Sequence, residues 1–483
     1  MKVNRNFILA AGLTALLAAP ALKAVEVYSK DKNSVDMGLR FQLMGALEYS
    51  GNPDYVAASP VSTSTGNGNR DTSRIFLFQK QNRLKLNADL DGTKVKFENA
   101  IGGEAYAGSN NLYDLMELSA DVPYNDNIRV VAGLSKMPWN QASATWDETS
   151  LFTGRSELFN LFFNAGYDTT VFAKSRFGNV DALLGVEQGA GNLPQRYIPE
   201  GLVLPVPVFV RLGYGTMNED PTRFRQQGFG KLDGPQWAVH GNGFWAADSQ
   251  AGHGTLFSQM GSQAEISKGP FENGNFMFSK GYNPFAGFAT GPGGLSKPDN
   301  QFWTASGDLQ FRVPVSGMAL VGGAQYNVAQ YIAKGMYDTK ITGVRAANQP
   351  VITRDGKTQS YNYGQVTVQG GEAYLGLLGD NWAVATRVDV LLPDPMLGSA
   401  TVSFFQSDPI WEITFPSLTY KINNYVKFIG EAEFTYNSPE AVDTDGIYQL
   451  KTVPVEYSLV TAANRIDHEW LVGIGRLMMQ VAF

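Results

Sequence analysis

The sequence predicts an all-β protein: a transmembrane antiparallel β-barrel of sixteen strands, with fourteen or eighteen as the alternative counts, short periplasmic turns and long extracellular loops. Three observations carry the prediction. Apolar and polar residues alternate with period two through segment after segment. The connections between segments are short and long in turn. The composition is poor in charge but rich in glycine and aromatic residues. Of 483 residues, 17% are charged, 12% are aromatic and 52 are glycine, against about 25% charged and about 7% glycine in ordinary domains. Abundant aromatics and a net charge of only −7 exclude a disordered chain. Past the N-terminal segment there is no run of about 20 apolar residues, which excludes a bundle of membrane-spanning helices. No triplet or heptad repeat is present, so collagen and coiled coil are excluded as well.

The N-terminus directs the chain out of the cytoplasm. Lys2 and Arg5 precede an uncharged run from Asn6 to Leu22, rich in Ala and Leu, followed by Lys23 and Ala24. Positive, apolar and small-residue regions in that order make a secretory signal peptide. Residues 1–24 are assigned to it, cleavage after Ala24 being preferred to cleavage after Ala21, and residues 25–483 form the barrel domain; a retained anchor is the alternative. Removal of residues 1–24 takes away three cations and no anion, moving the net charge from −7 to −10. The chain has no cysteine. Thiol nucleophiles, thiolate metal ligands and disulfides are therefore excluded, and an exported chain must be held by its core or its backbone ladder.

The first strand is the clearest. Val35, Met37, Leu39, Phe41, Leu43, Leu47 and Tyr49 alternate with Asp36, Gly38, Arg40, Gln42, Met44, Ala46 and Glu48. Successive strand side chains point to opposite faces, so one face is greasy and the other mostly polar, over more than the usual strand length of about 5–6 residues. Next, Leu84, Leu86, Ala88 and Leu90 alternate with Arg83, Lys85, Asn87 and Asp89. The turn dipeptide Asp91-Gly92 leads into Val95 and Phe97, set between Lys94, Lys96 and Glu98. Met116, Leu118, Ala120 and Val122 pass through Pro123–Asn127 to Ile128, Val130, Ala132 and Leu134. Val171 and Ala173 pass through Gly178-Asn179 to Val180, Ala182, Leu184 and Val186. Strands near 206–215 and 235–246 carry a weaker pattern.

The second half repeats the design. Leu309, Phe311 and Val313 turn at Pro314–Gly317 into Met318, Leu320, Ala324 and Tyr326. Asp380-Asn381 separates residues 370–379 from Trp382, Val384, Thr386, Val388 and Val390. Trp411, Ile413 and Phe415 turn at Ile422–Asn424 into Val426, Phe428, Ala432, Phe434 and Tyr436, and Glu469–Phe483 closes the series. Connections near 91–93, 123–127, 177–179, 314–317, 379–381 and 421–424 are short. The alternate ones, except 102–111, are long and rich in Gly, Asn, Ser and Pro. One connection breaks the rule: 216–234 falls where a short turn belongs, which leaves either misplaced strands or a different count. A barrel satisfies every backbone donor and acceptor between strands and leaves no edge. Sixteen strands enclose more space than side chains fill, so an aqueous channel is expected. Tyr49, Trp382, Trp411 and Tyr436 at strand ends suit interfacial girdles.

Several stretches resemble a known family. VEVYSKDKNSVDMGLRFQL at Val25–Leu43 resembles the mature N-terminus and first strand of Gram-negative outer-membrane porins. The closing RLMMQVAF, ending in Phe483, resembles the carboxyl-terminal signal read by the barrel-assembly machinery. NRLKLNADLDGTKVKFE, LYDLMELSADVP and IRVVAGLSKMPW, the last with a Gly-x-x-Lys-x-Pro pattern at Gly133, Lys136 and Pro138, resemble the phosphate-selective porin O and P family. The resemblance covers about a third of the chain. It implies a trimer of sixteen-stranded barrels among outer-membrane lipids and lipopolysaccharide, and a third outer loop, here 137–166, that folds inward and narrows the lumen. Family members selective for phosphate line the pore with a basic ladder; no such ladder matches here residue by residue, and the mature chain is acidic.

Strand alternation nominates the lumen residues. Arg40, Arg83, Lys85, Lys94, Lys96, Arg129, Lys174 and Arg176 face inward on the first six strands, and Asp308, Asp389, Glu412, Glu431 and Glu433 on later ones. A transverse field between a basic and an acidic wall would orient dipolar solutes and exclude apolar ones. In the candidate constriction loop, Asp147, Glu148, Arg155 and Glu157 are the charged candidates. Ser156–Asn164 suits a short amphipathic helix, with Leu158, Phe159, Phe162 and Phe163 pinning it to the wall or to a neighbouring subunit. The expected function is passive diffusion of small hydrophilic solutes and ions. A channel selective for phosphate or another anion is the alternative, and a barrel-based adhesin or enzyme or a soluble secreted β-protein lies further off. His240, His253 and His468 show no metal-ligand spacing, no nucleophile elbow occurs, and no basic, aromatic-interleaved segment points to nucleic acid. No cofactor is expected; carboxylate-rich loops could hold Ca²⁺, but no spacing singles one out.

Overall fold

A computed structural model describes residues 25–50, 73–101, 113–154, 167–187, 208–217, 220, 222, 226, 232–248, 300–333, 351–354, 357–360, 365–392, 409–436 and 471–482. Sixteen strands make the wall: β1 Asn33–Ser50, β2 Ser73–Leu90, β3 Thr93–Ile101, β4 Tyr113–Pro123, β5 Ile128–Lys136, β6 Tyr167–Phe177, β7 Val180–Glu187, β8 Val208–Gly215, β9 Gln236–Asp248, β10 Asn300–Val315, β11 Met318–Ala333, β12 Gln365–Leu378, β13 Trp382–Leu392, β14 Ile410–Lys421, β15 Val426–Tyr436 and β16 Leu471–Ala482. Each pairs antiparallel with the next, and β16 closes onto β1 from Val472↔Ser50 to Ala482↔Arg40. The ribbon Val25–Lys30 pairs with β1 from Val25↔Met37 to Lys30↔Asn33, so it continues the line of β16 along the same edge. With strands about 4.8 Å apart and tilted about 40°, such a ring is about 30 Å across.

The tight turns follow their sequence chemistry. Asp91 and Gly92 both take positive φ, 51° and 87°, as a two-residue hairpin turn requires. Asn125 and Asn423 each close a turn with their own side-chain carbonyl, accepting from Asn127 N and Ile128 N, and from Tyr425 N and Val426 N.

The distribution of side chains is inverted relative to a soluble protein. Leu77, Leu184 and Leu477 are each 60% exposed on the outer face, with Leu47, Leu118, Leu212 and Ile413 around the same belt. The inner face carries buried Arg40, Gln42, Arg83, Glu98, Arg387 and Glu412. A chain that shows leucine outside and folds arginine inside has a hydrocarbon solvent around it and polar space within. A bulge keeps this sorting intact in β14, where Phe415 and Pro416 drop out of register with β15 between Thr414 and Ser417. Past them the phase of alternation flips, so that Leu418 and Tyr420 stay outside while Ser417 and Thr419 face in.

The strand count settles the irregular connection. β8 and β9 pair with each other from Val208↔Trp245 to Gly215↔Ala238, so sixteen is the count and 216–234 is a long segment at the turn end. Near its two ends, Met217 and Leu232 pack with Leu151, Phe152, Ala238, Val321 and Tyr374 inside the barrel.

Candidate functional site

The lumen is organised by the connection after β5. Lys136 ends the strand, and Asn140 caps the short helix α1, Gln141–Ala144, by accepting from Ser143 N at 2.8 Å. A 3-10 turn follows at Asp147–Thr149. Trp139, fully buried, lies 6.4 Å from Phe244 of β9. Asn140 donates to Asn327 of β11 at 3.2 Å. Small wall residues make room for the loop: a Cβ on Gly323 would meet Gln141 at 2.8 Å, and one on Gly376 would meet Leu151 at 2.9 Å. Phe152 stands edge-on to Tyr374 of β12 and under Arg387 of β13, whose guanidinium carbon is 4.7 Å from the ring centroid.

Hydrogen bonds fix the far end of the loop. Ser417 of β14 donates to Leu151 O at 2.7 Å, Lys427 of β15 donates to Glu148 O at 2.8 Å, and Arg387 donates to Gly154 O at 2.9 Å. Thr153 donates its N–H to Glu431 at 2.9 Å and its hydroxyl to the second carboxylate oxygen. On the other side, Glu148 lies 3.2 Å from Arg40 and pairs with Lys85, while Lys85 and Lys96 stand over the Trp146 ring at 5.4 and 5.8 Å. Residues 137–154 thus leave β5 and reach β1–β3 as well as β9 and β11–β16. The anchors are Trp139, Leu151 and Phe152; Leu158, Phe159, Phe162 and Phe163, together with Arg155 and Glu157, lie outside the described residues. Asp147 takes its place in the 3-10 turn.

The wall charges form four groups. Arg40 and Arg83 donate to one Glu98 oxygen at 2.8 and 2.6 Å, with Lys85 3.6 Å from the other; Lys96 lies 3.7 Å from Glu117. Towards the turn end, Lys174 sits between Asp121 at 2.8 Å and Asp220 at 2.7 Å, and Arg129 donates to Asp121 at 2.7 Å. Lys94 is exposed at the same end, opposite Asp89 and Asp121 in register, and Arg176 donates to Met217 O at 2.5 Å. Asp308 lies 2.8 Å from His240 and 3.6 Å from Arg211, with His240 also 3.6 Å from Asp181. In the fourth group, Arg387 donates to Asp389 and Glu412 at 2.9 and 2.8 Å, and Arg476 donates to both Glu433 oxygens at 2.7 and 2.8 Å and to Glu431 at 3.2 Å.

The two walls are not of single sign. Glu98, Glu117 and Asp121 interleave with the bases, and Arg387, Arg476 and Lys427 with the acids, because a buried charge needs a partner close by. Arg387 and Arg476 share the inner face with Asp389 and Glu433, and period two alone would have nominated them. Arg211 and His240 sit on the strands whose alternation was weakest. Among the described residues, no group of His, Asp and Glu is arranged to hold a metal ion.

Asp220, like Glu148 of the 3-10 turn, belongs to no strand. Partial desolvation would raise the carboxyl of this half-exposed side chain, but Lys174 and the Thr222 donors outweigh it and hold the group well below the usual carboxylate range. Folded Asp220 therefore binds its proton less readily than unfolded Asp220. The contact contributes stability above the ordinary carboxylate range and loses it as pH falls through the lowered folded value. Asp220→Asn is expected to lower the heat-dissociation midpoint of the barrel at pH 7, wild type and variant converging only well below about pH 4. Equal midpoints at pH 7 would contradict this.

No known family profile matches the chain, and no curated protein matches it. Solved structures with a similar outline include OprB of Pseudomonas putida at high pH (10% identity over 93% of this chain and 94% of that one, TM-score 0.49). An anion-selective porin from Comamonas acidovorans is 11% identical over 93% of this chain and all of that one, with a TM-score of 0.48. The outer-membrane channel DcaP of Acinetobacter baumannii is 11% identical over 96% of this chain and all of that one, with a TM-score of 0.45. At such values the ground for function is the chain's own lumen.

Proposed function

We propose that the chain is a porin of the bacterial outer membrane, a water-filled channel for passive diffusion of small hydrophilic solutes and ions. One observation carries the reading: a loop is clamped by side chains across the inside of a closed barrel that is greasy outside and charged within. A lumen lined by paired charges suits polar solutes and repels apolar ones. Arg40, Arg83, Lys85, Lys94, Lys96, Arg129, Lys174 and Arg176, with Asp308, Asp389, Glu412, Glu431 and Glu433, line the path, and Glu148 brings the constriction loop to the basic side. Because acids accompany the bases on both walls, selectivity is weak, and a dedicated phosphate pathway is not the favoured form.

In this reading residues 1–24 are the removed signal peptide, the short turns lie in the periplasm, and the long loops face outward. The outer belt meets membrane lipid and lipopolysaccharide, Phe483 is read during barrel assembly, and the barrel works as a homotrimer. Purified protein in a planar bilayer should give stepwise ohmic current, with a small reversal potential under a salt gradient. Absence of any current from a folded, heat-modifiable barrel would overturn the reading.

A further inference from the structure

The β8–β9 connection is far longer than its place requires. The ladder between these strands runs to its end, with Thr216 N donating to Trp237 O at 2.7 Å and Met217 N to the same carbonyl at 3.2 Å. Gly215 is held so close that a Cβ there would lie 2.1 Å from Trp237 O. A few residues would close the turn, as they do at Asp91-Gly92, yet the next strand begins only at Gln236. The extra chain makes contacts inside. Asp220 meets Lys174 on the wall of β6 at 2.7 Å. Gln226, only 5% exposed, accepts through Oε1 from Leu151 N at 3.1 Å and from Ser150 Oγ at 3.2 Å. Met217 and Leu232 complete the apolar cluster around Leu151 and Phe152.

We propose that Met217, Asp220, Gln226 and Leu232 of this connection act as an internal strut that sets the position of the in-folded loop, with Gln226 as the positioning residue and the Lys174–Asp220 pair as its anchor on the wall. The inference rests on the channel reading. Every other hydrogen bond described above for the Ser150–Gly154 segment comes from the wall strands β13–β15. The strut holds the opposite side of the same segment, so the loop is gripped from two directions. A segment reached from one end of the barrel thereby sets the width that solutes meet in the middle.

Gln226 acts only as an acceptor in these two bonds, which gives a clean test. Gln226→Glu keeps an accepting oxygen in place, so the loop should stay seated and open-channel noise should match the wild type, while the added negative charge moves the reversal potential towards cations. Gln226→Leu removes the acceptor, and its single-channel conductance should rise by about half, with greater open-channel noise. An unchanged Gln226→Leu channel would overturn the proposal, as would equal disturbance in both variants. A second readout does not depend on current: amide hydrogen exchange at Leu151, whose N–H donates to Gln226, should be faster in Gln226→Leu than in the wild type. Faster exchange in a barrel that never conducts would count against the channel and for the strut; unchanged exchange in a conducting barrel would count against the strut alone.

Discussion

Replacing Asn140–Thr153 by a short Gly–Ser linker is expected to raise single-channel conductance severalfold while the barrel still assembles. The empty ring is about 30 Å across, and current through a short wide pore is governed by its narrowest section. The removed residues carry helix α1, the 3-10 turn and the buried Leu151 and Phe152 across that section. Their removal frees Arg40, Lys85, Arg387, Lys427 and Glu431 from loop contacts, but these side chains face water once the loop is gone, so none is left buried and unpaired. The inter-strand ladder does not pass through the loop, and heat-modifiable migration on a gel should persist. Unchanged conductance in a correctly assembled variant would show that the loop does not set the narrow section.

Glu98→Gln should have the second large effect, on stability and ion preference together. Arg40, Arg83 and Lys85 converge on this carboxylate, whose side chain is 5% exposed. Removing one partner of a buried ionic group commonly costs about 3–5 kcal/mol, because the remaining charges stay desolvated and now repel. Lumen water softens that cost without removing it, so a lower heat-dissociation midpoint is expected. With Glu98 neutral, Glu148 is left facing both Arg40 and Lys85, so the local positive field rises and the reversal potential under a salt gradient should move towards anions. Glu98→Asp retains the charge and should keep the wild-type sign. A reversal potential identical in wild type and Glu98→Gln would mean that ions pass elsewhere in the lumen.

Most of the wall was legible in the sequence because a strand at a membrane has to sort its side chains by face, and sorting with period two survives in the order of residues. The first strand shows it, with Arg40 and Gln42 inside and Leu39 and Phe41 on the other face. Where the phase flips at Phe415–Pro416, the alternation reads as a broken pattern, since a bulge is set by pairing with the neighbouring strand. The loop inside the barrel was much less legible. Its docking ground on the wall is made of Gly323, Gly376, Ala319, Ala383 and Ala385, and a missing side chain leaves no periodic mark. The strut was visible only as an exception, a long connection where a short one belonged; that Gln226 meets Leu151 is a contact over 75 positions that no local pattern encodes.

The small residues beneath the loop have a wider consequence. A Cβ at Gly323 would crowd Tyr374 as well as Gln141, and one at Gly376 would crowd the tip of Leu151, so the wall shapes the bore together with the loop. Each methyl group gained or lost at Ala319, Ala383 or Ala385 would lift or lower the loop like a shim under a lever. Related chains could therefore retune what they admit by drift at inward alanine and glycine positions, leaving every charged residue of the lumen and the whole loop sequence untouched.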